Sequence, residues 1–329
     1  MRIRVALAAS AVAVSLLAAP QAVAATNICI AYDTGGLGDR SYNDATLAGV
    51  KLAQNQYTFT FEGVVTDGTA ADREKRLRNL TSKNCATIIA VGGGYAKVID
   101  SLAVEFPNKQ FAIIGDASIA ALNVTSVTFA EVEGAFLAGY SAAISSKSRK
   151  IAMITTPSNA DLYQNGFLAG VAASKKKVNS YVKFTSTDTS NAAKAMIALG
   201  IDVIYAATSG AADGAFNEIV KANTAKNRKK NAVDANLIIT EPDLYLTVTA
   251  LTSKYLLASV VKRVDIAVAD IIGKAVNNSQ LTDVLDTKAG IYGHRYTIAD
   301  KGIEIVIKSK VLSGQVAAIN AAASAAYAR

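Results

Sequence analysis

The chain has a single histidine and two cysteines among its 329 residues, which limits the chemistry open to it. With His294 as the only imidazole, a Ser-His-Asp arrangement would rest on one residue. Its setting, Tyr292-Gly293-His294-Arg295-Tyr296, reads as structural or surface. Two cysteines and one histidine argue against a zinc site. No G-x-S-x-G elbow, Walker A lysine or H-E-x-x-H helix occurs, so the usual enzyme templates fail. No segment beyond the first two dozen residues stays apolar for the ~20 residues that a membrane-spanning helix needs. No cofactor, metal or catalytic residue is expected.

The first residues read as a leader. Arg2 and Arg4 form a basic start, Val5 to Ala19 a short apolar stretch, and Ala22-Val23-Ala24 a small-residue cleavage site. The expected signal peptide is residues 1–24, and the mature protein is expected outside the cytoplasm, without a membrane anchor. Removing Arg2 and Arg4 lowers the formal charge from +8 to +6. The basic clusters Arg149-Lys150, Lys175-Lys176-Lys177 and Lys226 to Lys230 have no interleaved aromatics. They read as solvated helix ends and loops, not as a nucleic-acid surface. A hydrophobic fraction of 51% and a charged fraction of 18% fit a globular chain with a large core. In an exported chain Cys29 and Cys85 can pair, since each sits near the start of an apolar strand. Two buried thiols remain the alternative.

Short apolar runs alternate with helical patterns. The runs are Ile28–Asp33, Thr58–Val65, Thr87–Val91, Phe111–Ile114 and Val124–Phe129, with helices at Asp44–Ala53, Ala70–Ser82 and Ala96–Glu105. A second series has runs at Ile151–Thr156, Val182–Thr187, Val203–Ala207 and Leu237–Thr240, with helices at Ala160–Ala173, Ala192–Leu199 and Gly214–Ala222. This alternation predicts an α/β chain with two parallel sheets covered on both faces. Towards the end, Leu256–Val276 reads as one long amphipathic helix and Gly290–Ile298 as a strand. Lys301–Lys308 and Val316–Tyr327 read as helices.

Binding chemistry is better represented than catalytic chemistry. Asp33, Asp116, Glu241 and Asp243 fall at or just past the ends of apolar runs, where open α/β sheets place their ligand crevice. Carboxylates there accept hydrogen bonds from a polar ligand, and Tyr42 and Tyr205 sit at comparable edges where a ring can stack on a flat ligand. Gly92-Gly93-Gly94 reads as a tight turn. The most informative stretch is Asp33-Thr34-Gly35-Gly36-Leu37-Gly38-Asp39-Arg40-Ser41-Tyr42-Asn43, a strand end, a glycine-rich loop and a helix start.

That stretch resembles the D-x-G-G-x-x-D-x-S-F-N signature of the basic membrane protein family, which includes purine nucleoside receptors of bacterial ABC importers. Further stretches match in order: Thr128 to Gly139, Gly166-Phe167-Leu168-Ala169-Gly170, Ala206 to Gly210, and Ser259 to Asp265. The resemblance implies a type I periplasmic-binding-protein fold, two doubly wound parallel-sheet lobes joined by a three-crossing hinge. Lobe 1 is expected at 25–127 plus 253–288 and lobe 2 at 128–252 plus 289–329.

The resemblance also implies a monomeric receptor that traps a purine nucleoside and hands it to an ABC permease. Tyr42 and Tyr205 would sandwich the base, with Tyr163 competing for the second wall, and Asp116 would read the base edge. Asp33 and Asn43 would add polar contacts from the first loop, Gly210 would lie near the sugar, and Glu241 and Lys262 would hold it. The family's G-V-D-x-D-Q stretch reads Ile239-Thr240-Glu241-Pro242-Asp243-Leu244 here, and Thr26-Asn27-Ile28-Cys29 is no lipobox. The rival readings are a receptor for another polar solute such as a sugar, a nucleoside hydrolase, and a sensor domain with a protein partner.

Overall fold

Continuous apolar runs become strands buried on both faces, because the strands of a parallel sheet are covered by helices above and below. A computed structural model describes residues 26–157, 160–185, 188–208, 212–241, 243–246 and 248–327. The expected leader and Gly210 lie outside the described residues.

The first sheet is built from β1 (Thr26–Tyr32), β2 (Phe59–Val65), β3 (Thr87–Val91), β4 (Phe111–Ile114) and β5 (Val124–Phe129), joined late in the chain by β11 (Asp283–Asp286) and β12 (Ile291–Tyr296). Its order is β11-β12-β5-β4-β3-β1-β2, parallel except for the β11–β12 pair. The second sheet contains β6 (Lys150–Thr155), β7 (Asn179–Phe184), β8 (Val203–Ala207), β9 (Asn236–Thr240), β10 (Leu256–Lys262) and β13 (Ile303–Val306). Its order is β13-β10-β9-β8-β6-β7, with only β13 antiparallel. Helices α1 (Tyr42–Gln54), α2 (Ala70–Thr81), α3 (Ala96–Glu105) and α8 (Val264–Val276) belong with the first sheet. Helices α4 (Glu131–Ser145), α5 (Ala160–Ala173), α6 (Thr189–Ala198), α7 (Asp213–Thr224) and α9 (Val316–Tyr327) belong with the second.

The chain passes between the lobes three times, at Ala130, at Arg263 and between Tyr296 and Ile303. The crossings are bonded to one another: Ala130 N donates to Tyr296 O and Arg263 N to Gly302 O, both at 2.8 Å. Ile298 N donates to the Glu133 carboxylate at 2.8 Å. The boundaries expected from sequence are therefore shifted. Residues 256–262 pair in the second sheet, and 291–296 pair in the first.

Two late elements differ from the sequence reading for the same reason. Leu256–Val276 is not one helix. Leu256 to Val260 is buried throughout between β9 and β13, and a short all-apolar run fits either period. The helix begins only after Arg263. Lys301–Lys308 is not a helix either, because buried Ile303 and Ile305 flank exposed Glu304 with the two-residue period of a strand. The helix Glu131–Ser145 was represented in the sequence only by its glycine-containing motif.

That motif has a packing explanation. A Cβ at Gly139 would lie 2.0 Å from Phe167 O, and Cβ atoms at Gly166 and Gly170 would each lie 2.1 Å from a carbonyl of α4. The glycines let α4 and α5 approach backbone to backbone. In the first lobe Cys29 and Cys85 form a disulfide that ties β1 to the segment entering β3, so the open question of their pairing is answered in favour of the bond.

Candidate functional site

The carboxyl ends of β3, β4 and β5, the start of α1 and the crossings surround a cleft of about 1140 Å³. The loop between β1 and α1 shapes one wall. Its glycines Gly35, Gly36 and Gly38 take positive φ values of 87°, 58° and 97°, which lets the chain turn back within a few residues. Asn43 holds the loop: its side chain accepts from Asp33 N at 2.9 Å and donates to the carbonyls of Asp33, Thr34 and Gly36. The Asp39 carboxylate accepts from the backbone N–H groups of Ser41, Asn43 and Asp44, satisfying the first donors of α1. The neighbouring Tyr42 is thereby fixed at the cleft. Gly115, with φ of 87°, faces its ring, and a Cβ there would lie 3.3 Å from Tyr42 Cε2.

Opposite Tyr42 is a buried charge cluster. Lys262, the last residue of β10, bonds the Glu131 carboxylate, lies 3.2 Å from Glu241 Oε1 and donates to the Tyr42 hydroxyl at 3.2 Å. The Lys262 and Glu241 side chains are only 7% and 8% exposed. Burial opposes the charged Lys262, yet Glu241, Tyr42, Tyr163 and Glu131 together hold its ammonium well above the ordinary lysine value. For Glu241 burial dominates and pushes the carboxyl up, although Lys262 pulls it down. Burial likewise pushes the Tyr42 phenol up, so it stays protonated. Glu241 adopts φ of 42°, a left-handed conformation that is costly for a glutamate.

The structure places the expected residues unevenly. Tyr42, Asp116 and Lys262 line the cleft, and Glu241 stands behind Lys262. Asp116 accepts from Ser118 N and Oγ on one oxygen, at 2.8 and 2.6 Å. Asp33 does not line the cleft. It forms an ion pair with Arg73 at 2.8 Å, and a Cβ on Gly92 would lie 2.8 Å from its carboxylate. Asn43 is 1% exposed and its amide is used within the loop, which corrects the expectation of a ligand contact. Tyr205 is corrected as well: its ring is fully buried and stacks on Phe167 at 5.8 Å, and its hydroxyl bonds Thr240. As the central residue of a strand covered on both faces, it has no free ring face for a ligand. Tyr163 is also buried, at 2% exposure.

Sequence reasoning missed Glu131, Phe129, Arg295 and Lys301, all of which line the cleft. Phe129 and Glu131 flank the first crossing. Their position at the carboxyl end of β5 was the available signal. Arg295 and Lys301 come from the third crossing, which only the sheet pairing reveals.

With this geometry established, comparisons with known proteins are informative. The family described as ABC transporter substrate-binding protein PnrA-like matches residues 26–323. The "CD4+ T-cell-stimulating antigen" of Listeria innocua is 27% identical over 316 residues, covering 88% of this chain and 87% of that protein. The "ABC transporter nucleoside-binding protein BmpA" of Lactococcus lactis subsp. cremoris is 26% identical over 258 residues, covering 74% of this chain and 73% of that protein. Among solved structures, an ABC transporter solute-binding protein from Conexibacter woesei superposes with a TM-score of 0.67 at 16% identity, covering 92% of this chain and 97% of that one. This last likeness supports the expected two-lobed α/β architecture.

Proposed function

Because the chain belongs to the PnrA-like family of ABC transporter substrate-binding proteins, we propose that it captures a purine nucleoside between its lobes and delivers it to an ABC permease. Binding proteins of ABC importers work outside the cytoplasm, in keeping with the expected leader. We read this one as released and monomeric. The observation that carries the proposal is the meeting of three chemistries at one cleft: the Tyr42 ring, the Asp116 carboxylate and the Lys262 ammonium.

Each group suits one part of a nucleoside. An aromatic face stacks on a purine. A carboxylate accepts N–H bonds from the base edge, and an ammonium donates to ribose oxygens while Glu131 and Glu241 hold it in place. Closure around the ligand removes water and strengthens these contacts. The reading requires no covalent step. The nucleoside-binding name of the Lactococcus lactis relative supports the same ligand class.

Thermal unfolding in the presence of nucleosides and of neutral sugars tests the reading. A nucleoside at about 100 times its Kd should add about 2.7 kcal/mol of stability. Stabilisation by a sugar but by no nucleoside would make the chain a sugar receptor. Release of free base from inosine, blocked by a carboxylate substitution, would make it a hydrolase.

A further inference from the structure

The charges around the cleft are unevenly spread. On the β4 side stands Asp116, and Glu131, just past β5, pairs with Lys262, as does Glu241. On the β12 side stand Arg295, next to last in β12, and Lys301, in the turn leading to β13. Both are exposed at the cleft, and neither side chain has a carboxylate partner among the described residues.

Nearby carboxylates are committed elsewhere. Asp270 accepts from the Tyr296 hydroxyl at 2.9 Å. Asp283 pairs with His294, and Asp300 accepts from Thr297 N and Oγ1. Glu304 pairs with Arg263 at 2.6 Å. Glu133 also lines the cleft beside this turn, and its carboxylate accepts from Ile298 N at 2.8 Å. Arg295 and Lys301 thus have no ion-pair partner among the described residues, in a concave site that focuses their field onto whatever enters. The cleft, at about 1140 Å³, exceeds the roughly 300–1,000 Å³ usual for small-molecule sites, so a ligand seated on Tyr42 leaves room towards this end.

We propose that the Arg295–Lys301 end receives an anionic group carried by the nucleoside, which makes a nucleoside 5′-monophosphate the preferred ligand class. This rests on the nucleoside reading above. The guanidinium offers a planar fork that matches two phosphate oxygens, and the ammonium adds a mobile point charge. The carboxylate-rich end receives the hydrogen-bond donors of base and ribose. A ligand with donors at one end and negative charge at the other matches both halves of the cleft. A neutral nucleoside uses only one.

Titration calorimetry with inosine, inosine 5′-monophosphate and inorganic phosphate, on the wild type and on an Arg295→Ala/Lys301→Ala double variant, tests this. The monophosphate should bind the wild type about tenfold or more tightly than inosine, a difference of about 1.4 kcal/mol. That ratio should fall towards one in the double variant and shrink as salt is added. Both substitutions are at exposed positions, so the variant should keep the wild-type unfolding midpoint. Equal or tighter binding of inosine, a ratio unchanged in the double variant, or inorganic phosphate binding as tightly as the monophosphate would each overturn the inference. Binding of inosine without preference would remove this inference alone. Binding of neither nucleoside nor nucleotide would remove the nucleoside reading as well.

Discussion

Lys262 and Tyr42 meet across the cleft, the ammonium 3.2 Å from the phenol oxygen, although 220 residues of sequence separate them. One ends a strand of the second sheet and the other begins a helix of the first lobe, so their bond ties the lobes together where ligand must enter. Lys262→Met would leave the buried Glu241 and the half-buried Glu131 without their cation. Removing one partner of a buried pair costs about 3–5 kcal/mol. Tyr42→Phe deletes only the hydroxyl bond and should cost about 1 kcal/mol. Urea unfolding of the two single variants and the double variant should show coupling between the sites. Strict additivity would mean that the contact carries no energy.

Asn43 should behave as a loop anchor. Asn43→Ala removes one acceptor and three donor contacts inside the first loop. Four backbone groups lose a bond in an enclosed setting, and among the described residues only Asp33 O keeps another, from Gly36 N, so the expected loss is about 2–4 kcal/mol. The measurement is the urea midpoint of the ligand-free protein. Loss of affinity with stability unchanged would return Asn43 to the list of ligand contacts.

Gly139→Ala tests the helix packing. Its new methyl would lie 2.0 Å from a carbonyl oxygen of α5, so α4 and α5 must separate. Overpacking of this kind costs about 1–3 kcal/mol. Thermal unfolding should show a clear drop, and an unchanged midpoint would mean that the helices yield freely.

The pH dependence follows from Glu241 and Lys262. Burial raises the Glu241 carboxyl from its ordinary value of 4.5, so the native state holds this proton more tightly than the unfolded chain does. Its favourable contribution is complete below that value and declines as pH rises through the raised one. Lys262 is also raised, from 10.5, so the stability it contributes is complete below that value and is lost only at more alkaline pH. Glu241→Gln should therefore flatten the dependence of the urea midpoint on pH above 4.5. An unaltered slope would show that Glu241 ionises as it does in the unfolded chain.

Much of the architecture is legible in the sequence because strands such as Thr87–Val91, Phe111–Ile114 and Val203–Ala207 are uninterrupted apolar runs set between helical patterns. The second half of the hinge is not. Leu256–Lys262 becomes a strand only because β9 and β13 lie on either side of it, a tertiary fact without a local signature. The site divides in the same way. Tyr42 is visible as the first aromatic after a glycine-rich strand end. Asn43, the second residue of α1, looks equally like a ligand contact until its four loop bonds are seen. Tyr205 lies within a similar apolar run, but Phe167 from the α5 helix covers its ring. Sequence periodicity does not say which helix lies over which strand.

The most direct test of the central claim is calorimetric titration of a purine nucleoside into the wild-type protein and into Tyr42→Ala. Base stacking on an aromatic side chain contributes about 1–3 kcal/mol, so the variant should bind at least about fivefold more weakly while still folding. The same affinity in both proteins, or no binding in the wild type, would contradict the account.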